Sequence, residues 1–156
     1  MNYFAYSRAI EVTSIKNADI EVDTLMLSNN PITDWRDSEI LEFCGNEAAY
    51  TFNIDIQKDK KAEYYIDLGK VCYSAEVTVN GQEVGKRIFA PFHFDVTQYL
   101  RKGNNTITVK VTPSKYNEFV KRGIDRDRLF KMLKDSGLAA QGILGPVRLL
   151  SLNIKN

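Results

Sequence analysis

The residues best suited to chemistry are few. The chain has one histidine, His93, set in the run Pro91-Phe92-His93-Phe94-Asp95. A serine-type triad needs a histidine held beside a nucleophile on a tight elbow. No serine in the sequence has that setting, so His93 reads as a surface or loop-end residue with a structural or ligand contact rather than as a catalytic base. Glycoside hydrolysis needs two carboxylates about 5 to 9 Å apart, and with 20 acidic residues such pairs arise by chance. No catalytic residue is assigned. One histidine and no local cluster of cysteines or acids also exclude a zinc or calcium site built from neighbouring residues, and no cofactor is expected. What remains is recognition. Carbohydrate sites combine an aromatic platform with planar polar groups that bond hydroxyls. Trp35, Tyr73, Arg87, Phe89, His93, Tyr116 and Asn117 are the right types beside expected loops. Structural duties compete for most of them: Trp35 can plug one end of a sandwich, Tyr73 and Phe89 can be core, Arg87 can pair with Glu83, and Tyr116 can pack beneath a helix.

Positioning any of these requires a scaffold, and the scaffold is best read between Tyr65 and Val111. Ala75, Val77 and Val79 alternate with Glu76, Thr78 and Asn80, the period of a strand with one face buried and one wet. Asn80-Gly81 then favours positive φ, so Gln82-Glu83-Val84 folds back as the second arm of a hairpin. Downstream, Phe92 and Phe94 share one face, with His93 and Asp95 on the other, and Pro91 keeps the entry out of a central ladder. Asp95 or Thr97 caps a single turn over Tyr99 and Leu100, and Gly103-Asn104 leads into a strand in which Ile107, Val109 and Val111 are buried. Before this stretch, Tyr50, Phe52, Ile54 and Ile56 share a strand face. The last segment, from Val147 to Ile154, is partly apolar on both faces, as in a strand covered on each side. Between them the β pattern breaks. A helix over residues 126–136, capped by Asp125 or Asp127 and ended by Gly137, is expected there, with the preceding Pro113–Gly123 segment a loop or a short helical turn.

These readings give an all-β chain: a β-sandwich of about eight antiparallel strands with one helical insertion. Residues 1–21 form a lead-in segment or outer strands, and residues 22–156 the domain itself. A length of 156 residues with 44% hydrophobic and 26% charged side chains is ordinary for one domain with its own core. Formal net charge is +1, from 21 basic and 20 acidic residues, and the basic residues are dispersed. Neither nucleic acid nor an anionic membrane is a partner on that pattern. The opening MNYFAYSRAI lacks the charged-then-apolar form of a secretion signal. Cys44 and Cys72 sit in apolar settings and read as buried free thiols, with a disulfide between them the alternative that export would allow.

The succession Ile66-Asp67-Leu68-Gly69, AEVTVNGQEVG, PFHFDVTQYL and KGNNTITVKV resembles the sugar-binding β-sandwich domain of family 2 glycoside hydrolases. It is more similar still to the comparable domain of bacterial α-L-rhamnosidase-like glycoside hydrolases. The likeness extends from Trp35 upstream to GILGPVRLL downstream. It implies a galactose-binding-like jelly roll that accompanies a catalytic domain in a secreted or periplasmic bacterial enzyme. Asp67 and Asp95 then fall on structural motif positions, Asp95 accepting backbone hydrogen bonds at the turn to Thr97. Three functions are compatible with this. The first is a non-catalytic accessory domain whose partner is the catalytic domain of the parent chain. The second is a carbohydrate-binding module for a plant or host glycan. The third, a stand-alone hydrolase, is disfavoured by the missing constellation. An exposed apolar patch would favour the first, and a groove with convergent polar groups and aromatic faces the second.

Overall fold

In the computed structural model, which describes residues 9–123, 132 and 137–153, the alternation of Ala75, Val77 and Val79 becomes strand β7 (Ser74–Val79), with those three side chains fully buried. Asn80 and Gly81 both have positive φ, 50° and 80°. They form a two-residue hairpin of the kind whose twist matches its strands, and β8 (Gln82–Arg87) returns with Gln82 opposite Val79.

Strand β7 also pairs with β10 (Gly103–Thr112), which pairs in turn with β4 (Ala48–Ile56). With β2 (Asn17–Val22) and β3 (Leu25–Pro31) these strands form a six-stranded sheet in the order β3-β2-β4-β10-β7-β8. A four-stranded sheet faces it, built from β1 (Ala9–Ile15), β12 (Val147–Asn153), β5 (Ala62–Asp67) and β9 (His93–Asp95) in that order. A short pair, β6 (Lys70–Cys72) with β11 (Gly142–Gly145), closes one end. The neighbouring strands of all three sheets run antiparallel. The fold is the expected all-β sandwich. The described residues hold twelve strands rather than about eight, because β6, β9 and β11 are only three or four residues long and too short for a period-two pattern to show. Residues 9–22 take part fully: β1 is an edge strand on β12, and β2 lies between β3 and β4.

The expected helix over residues 126–136 lies outside the described residues, apart from Met132, which is exposed. The described helix, α1 (Tyr116–Gly123), falls in the segment expected to be a loop or a short helical turn, and at eight residues it is longer than a single turn.

The core between the sheets contains Ile20, Tyr50, Phe52, Ile54, Ile66, Val77, Val79, Phe94, Ile107, Val109 and Leu149. Each such side chain contributes about 1.5–3 kcal/mol when fully buried. Polar groups close the two ends. At one, Asn105 is fully buried, its amide donating to the carbonyls of Arg101 and Gly103 and its carbonyl accepting from Arg101 N–H and Asn80 Nδ2. At the other, Trp35 Nε1 donates to Tyr50 Oη at 2.6 Å, and Tyr50 Oη also accepts from Ile143 N–H at 3.3 Å. Trp35 plugs the sandwich, as its position suggested. Cys44 and Cys72 are free thiols whose pKa values burial pushes up.

Two outcomes test this packing. A Cβ on Gly81 meets nothing within 4 Å, so Gly81→Val acts through backbone conformation alone. It should cost about 1 kcal/mol or more in urea melts, and an unchanged midpoint would refute the hairpin. Burial raises the Tyr50 phenol from 10.0 to about 12. Tyr50→Phe leaves two buried N–H donors unpaired and should cost about 1–3 kcal/mol at neutral pH. Because the unfolded phenol ionises near 10 and the folded one only near 12, wild-type stability falls across that window. The gap between wild type and Tyr50→Phe should therefore narrow above pH 10, and a gap that widens there would contradict the buried neutral phenol.

Candidate functional site

Strands β8 and β9 are the free edges of the two sheets on the same side of the sandwich, and the side chains near them form its most site-like region. Position along β8 is set by a bulge. Val77 pairs with Gly85 and Thr78 with Glu83, which leaves Val84 as an extra residue. That extra residue puts Glu83 and Arg87 on opposite faces. Without it the two would share a face, which is why the expected Glu83–Arg87 pairing does not form. Arg87, opposite the buried Ala75, turns instead toward the four-stranded sheet. Its Nε donates to the His93 carbonyl at 2.8 Å, and its guanidinium lies over the Phe94 ring, 5.6 Å from the centroid. At that distance a cation is attracted to the face of the ring.

Behind His93 runs a charged row across the outer face of the four-stranded sheet. Asp67 lies opposite both His93 and Arg148 in register. Its Oδ2 accepts from Arg148 at 2.6 Å, and its Oδ1 accepts from Gly69 N–H at 2.9 Å and lies 3.3 Å from His93 Nε2. With both oxygens engaged and only 5% of its surface exposed, Asp67 joins β5, β9 and β12 and is not available as a catalytic acid. Asp95 accepts from Thr97 N–H at 3.0 Å, the turn contact read from the sequence. Between the two edges lies an open groove of about 510 Å³ lined by Lys86, Arg87, His93, Asp95, Gln98 and Tyr99 among others.

Of the seven recognition candidates, the structure brings Arg87 and His93 together. Tyr73 and Phe89 are not core. They are 49% and 77% exposed, two residues beyond the last paired position of β7 and β8, and outside the groove lining. Trp35 and Asn117 are corrected: they are 1% and 0% exposed, so no sugar reaches them. The Asn117 amide donates to the carbonyls of Glu42 and Ala139 and its oxygen accepts from Ala139 N–H, which ties α1 to two loops. Tyr116 begins that helix, its hydroxyl 3.5 Å from the Gly137 carbonyl. Lys86, Gln98 and Tyr99 were missed, because only the juxtaposition of two sheet edges gives them a common space. Among the described residues no group of three or more His, Cys, Asp or Glu side chains could hold a metal ion. Among the described residues no helix is long and apolar enough to cross a membrane. If Asp67 is a structural bridge, Asp67→Asn should destabilise the fold by about 1–3 kcal/mol, read as a lowered urea midpoint. An unaltered midpoint would return Asp67 to the list of candidate acids.

Comparison with known proteins places this geometry. A sequence model of the glycosyl hydrolase 2 galactose-binding domain-like family matches residues 10–131. A putative beta-glucuronidase of Formosa agariphila is 37% identical over 81 residues, 49% of this chain and 7% of that protein. A beta-galactosidase of Thermoanaerobacter pseudethanolicus is 36% identical over 76 residues, 46% of this chain and 10% of its own length. In three dimensions, a rhamnosidase from Novosphingobium sp. PP1Y superposes with a TM-score of 0.77 at 22% identity, covering 92% of this chain and 15% of that one. A beta-glucuronidase of an uncultured Clostridium gives 0.69 at 18% identity, over 98% and 31%. The structural likenesses establish the shared fold, and the matched region is a small part of much longer glycoside hydrolases. The chain belongs to the glycosyl hydrolase 2 galactose-binding domain-like family.

Proposed function

We propose that this chain serves as the non-catalytic β-sandwich domain of a larger, α-L-rhamnosidase-like glycoside hydrolase, acting in the periplasm or outside the cell and packing against the catalytic domain of its parent. The observation that carries the reading is the family match over residues 10–131, set beside curated relatives of which the chain spans only 7% and 10%. A fold of this kind does not confer hydrolysis by itself. The residues that could have supplied it are engaged elsewhere, Asp67 in its bridge and Asp95 at its turn.

An asymmetry between the two outer faces supports packing against a partner. The six-stranded sheet presents Asn53, Glu76, Thr78, Thr106, Thr108 and Lys110, with Thr106 bonded to Asn53 at 2.8 Å and Lys110 paired with Glu47 at 3.0 Å. On the outer face of the four-stranded sheet, Ile10 and Val12 on the edge strand β1 are 44% and 52% exposed, beside Leu150, which is half-buried, while Leu152 and Tyr65 on the same face are buried. Ile10 and Val12 are the exposed apolar part of this face that a partner would cover. A second reading, carbohydrate recognition, is favoured by the groove at Arg87 and by the exposed Tyr73 and Phe89. In a panel of nitrophenyl glycosides that includes the α-L-rhamnoside, the 156-residue chain should show no hydrolysis above the buffer rate. Turnover abolished by Asp95→Asn would refute the non-catalytic reading.

A further inference from the structure

We propose that the groove between β8 and β9 is a binding site for a carboxylate-bearing sugar, with the Arg87 guanidinium as the group that grips the carboxylate. This goes beyond the packing role and does not depend on it.

The Nε of Arg87 donates to the His93 carbonyl and its plane is held near Phe94, so one edge of the guanidinium is committed to the fold. Among the described residues, its two terminal amino groups make no hydrogen bond and no ion pair. Three other arginines are neutralised by carboxylates, Arg36 by Asp34, Arg122 by Glu118 and Arg148 by Asp67, while Arg101 bonds the Asn104 carbonyl through its Nε. Arg87 is thus a fork oriented by a carbonyl and a ring rather than neutralised by a carboxylate. A guanidinium presents parallel N–H donors that match the two oxygens of a carboxylate. Having its rotamer already fixed lowers the entropy lost on binding.

The rest of the groove fits the sugar that would carry that carboxylate. Lys86 and Arg87 set two cations against the one carboxylate of Asp95, a local excess of positive charge. One Asp95 oxygen is already held by Thr97 N–H. Gln98 adds an amide that both donates and accepts, Tyr99 a ring and a hydroxyl, and His93 an imidazole braced by the buried Asp67. Hydroxyl groups of a pyranose are donors and acceptors at once and need such a mixture. A space of about 510 Å³ takes one or two sugar rings.

The test is a titration of the ¹⁵N-labelled chain followed by NMR, including the Arg87 Nε–Hε signal. The probes are D-glucuronate, D-glucose, which is the same ring with a hydroxymethyl group in place of the carboxylate, and sodium acetate. Glucuronate should give saturable shifts at β8, β9 and Gln98 with a Kd of about 1 mM. Glucose and acetate should each bind at least about tenfold more weakly, the factor for losing one charge-assisted interaction or the hydroxyl contacts. Arg87→Lys keeps the charge, loses the fork and should weaken glucuronate about fivefold or more. Gln98→Ala should also weaken it, and it carries the test if Arg87 variants lose their dispersed spectra. Glucose or acetate matching glucuronate would overturn the proposal. So would unsaturated shifts, or glucuronate affinity unchanged in both Arg87→Lys and Gln98→Ala.

Discussion

One hydrogen bond, from the Trp35 indole to the Tyr50 hydroxyl at 2.6 Å, organises the end of the sandwich on which most of the loops converge. Tyr50 stands on β4, which pairs with β2 on one side and with β10 on the other, so its ring is fixed by the six-stranded sheet. Its hydroxyl then fixes two segments that have no long strand of their own, the turn at Trp35 and the start of β11 at Ile143. The fit is tight. Gly142 has φ +83°, and a Cβ there would sit 2.3 Å from Trp35 Nε1 and 2.7 Å from Tyr50 Oη. From β11 the constraint passes to β6 by pairing. The turn at Asp67 and Gly69 that precedes β6 carries it on to β9 and β12 through the Asp67 carboxylate.

That chain of contacts explains which polar residues have chemistry left to do. Asp67, Asn117 and Trp35 resemble site residues by type, yet each has its polar atoms bound within the fold. Buried polar groups without partners cost about 1–3 kcal/mol each, so a sandwich with open ends spends such side chains on closing them. The residues released from this duty lie along the free edges, where β8 and β9 end their sheets and pairing demands nothing further of their side chains. Arg87 is the clearest case, held by one backbone carbonyl and one ring while its outer donors face the groove.

Much of the scaffold was legible because its signals are local. The alternation through Val77 and Val79, the Asn80-Gly81 turn, the Asp95–Thr97 contact and the Trp35 plug need only nearby sequence or one strong residue type. Register across long separations was not legible: nothing near Arg148 announces that Asp67, 81 residues earlier, will face it. The bulge at Val84 was equally hidden, since a one-residue insertion leaves no compositional trace, yet it decides which face Arg87 takes. The sequence around α1 leaves a loop and a short helical turn both open because the helix's anchor is tertiary, the Asn117 amide bonded to carbonyls 75 and 22 residues away. The candidate site suffered most from this, because it exists only where two sheets that share no hydrogen-bond ladder come side by side.

The aromatic and polar residues at the ends of the sandwich are committed to the fold. Trp35 is the sole tryptophan, so its indole N–H gives one resolved resonance. Hydrogen exchange at that proton tests the claim directly, because protection reports the free energy of the opening that exposes it. The account predicts exchange only through global unfolding, at the rate of the most protected amides of β4 and β10, and no shift of the resonance when sugars are added. Exchange within minutes, or a shift that saturates with sugar, would place Trp35 at an accessible site and contradict it.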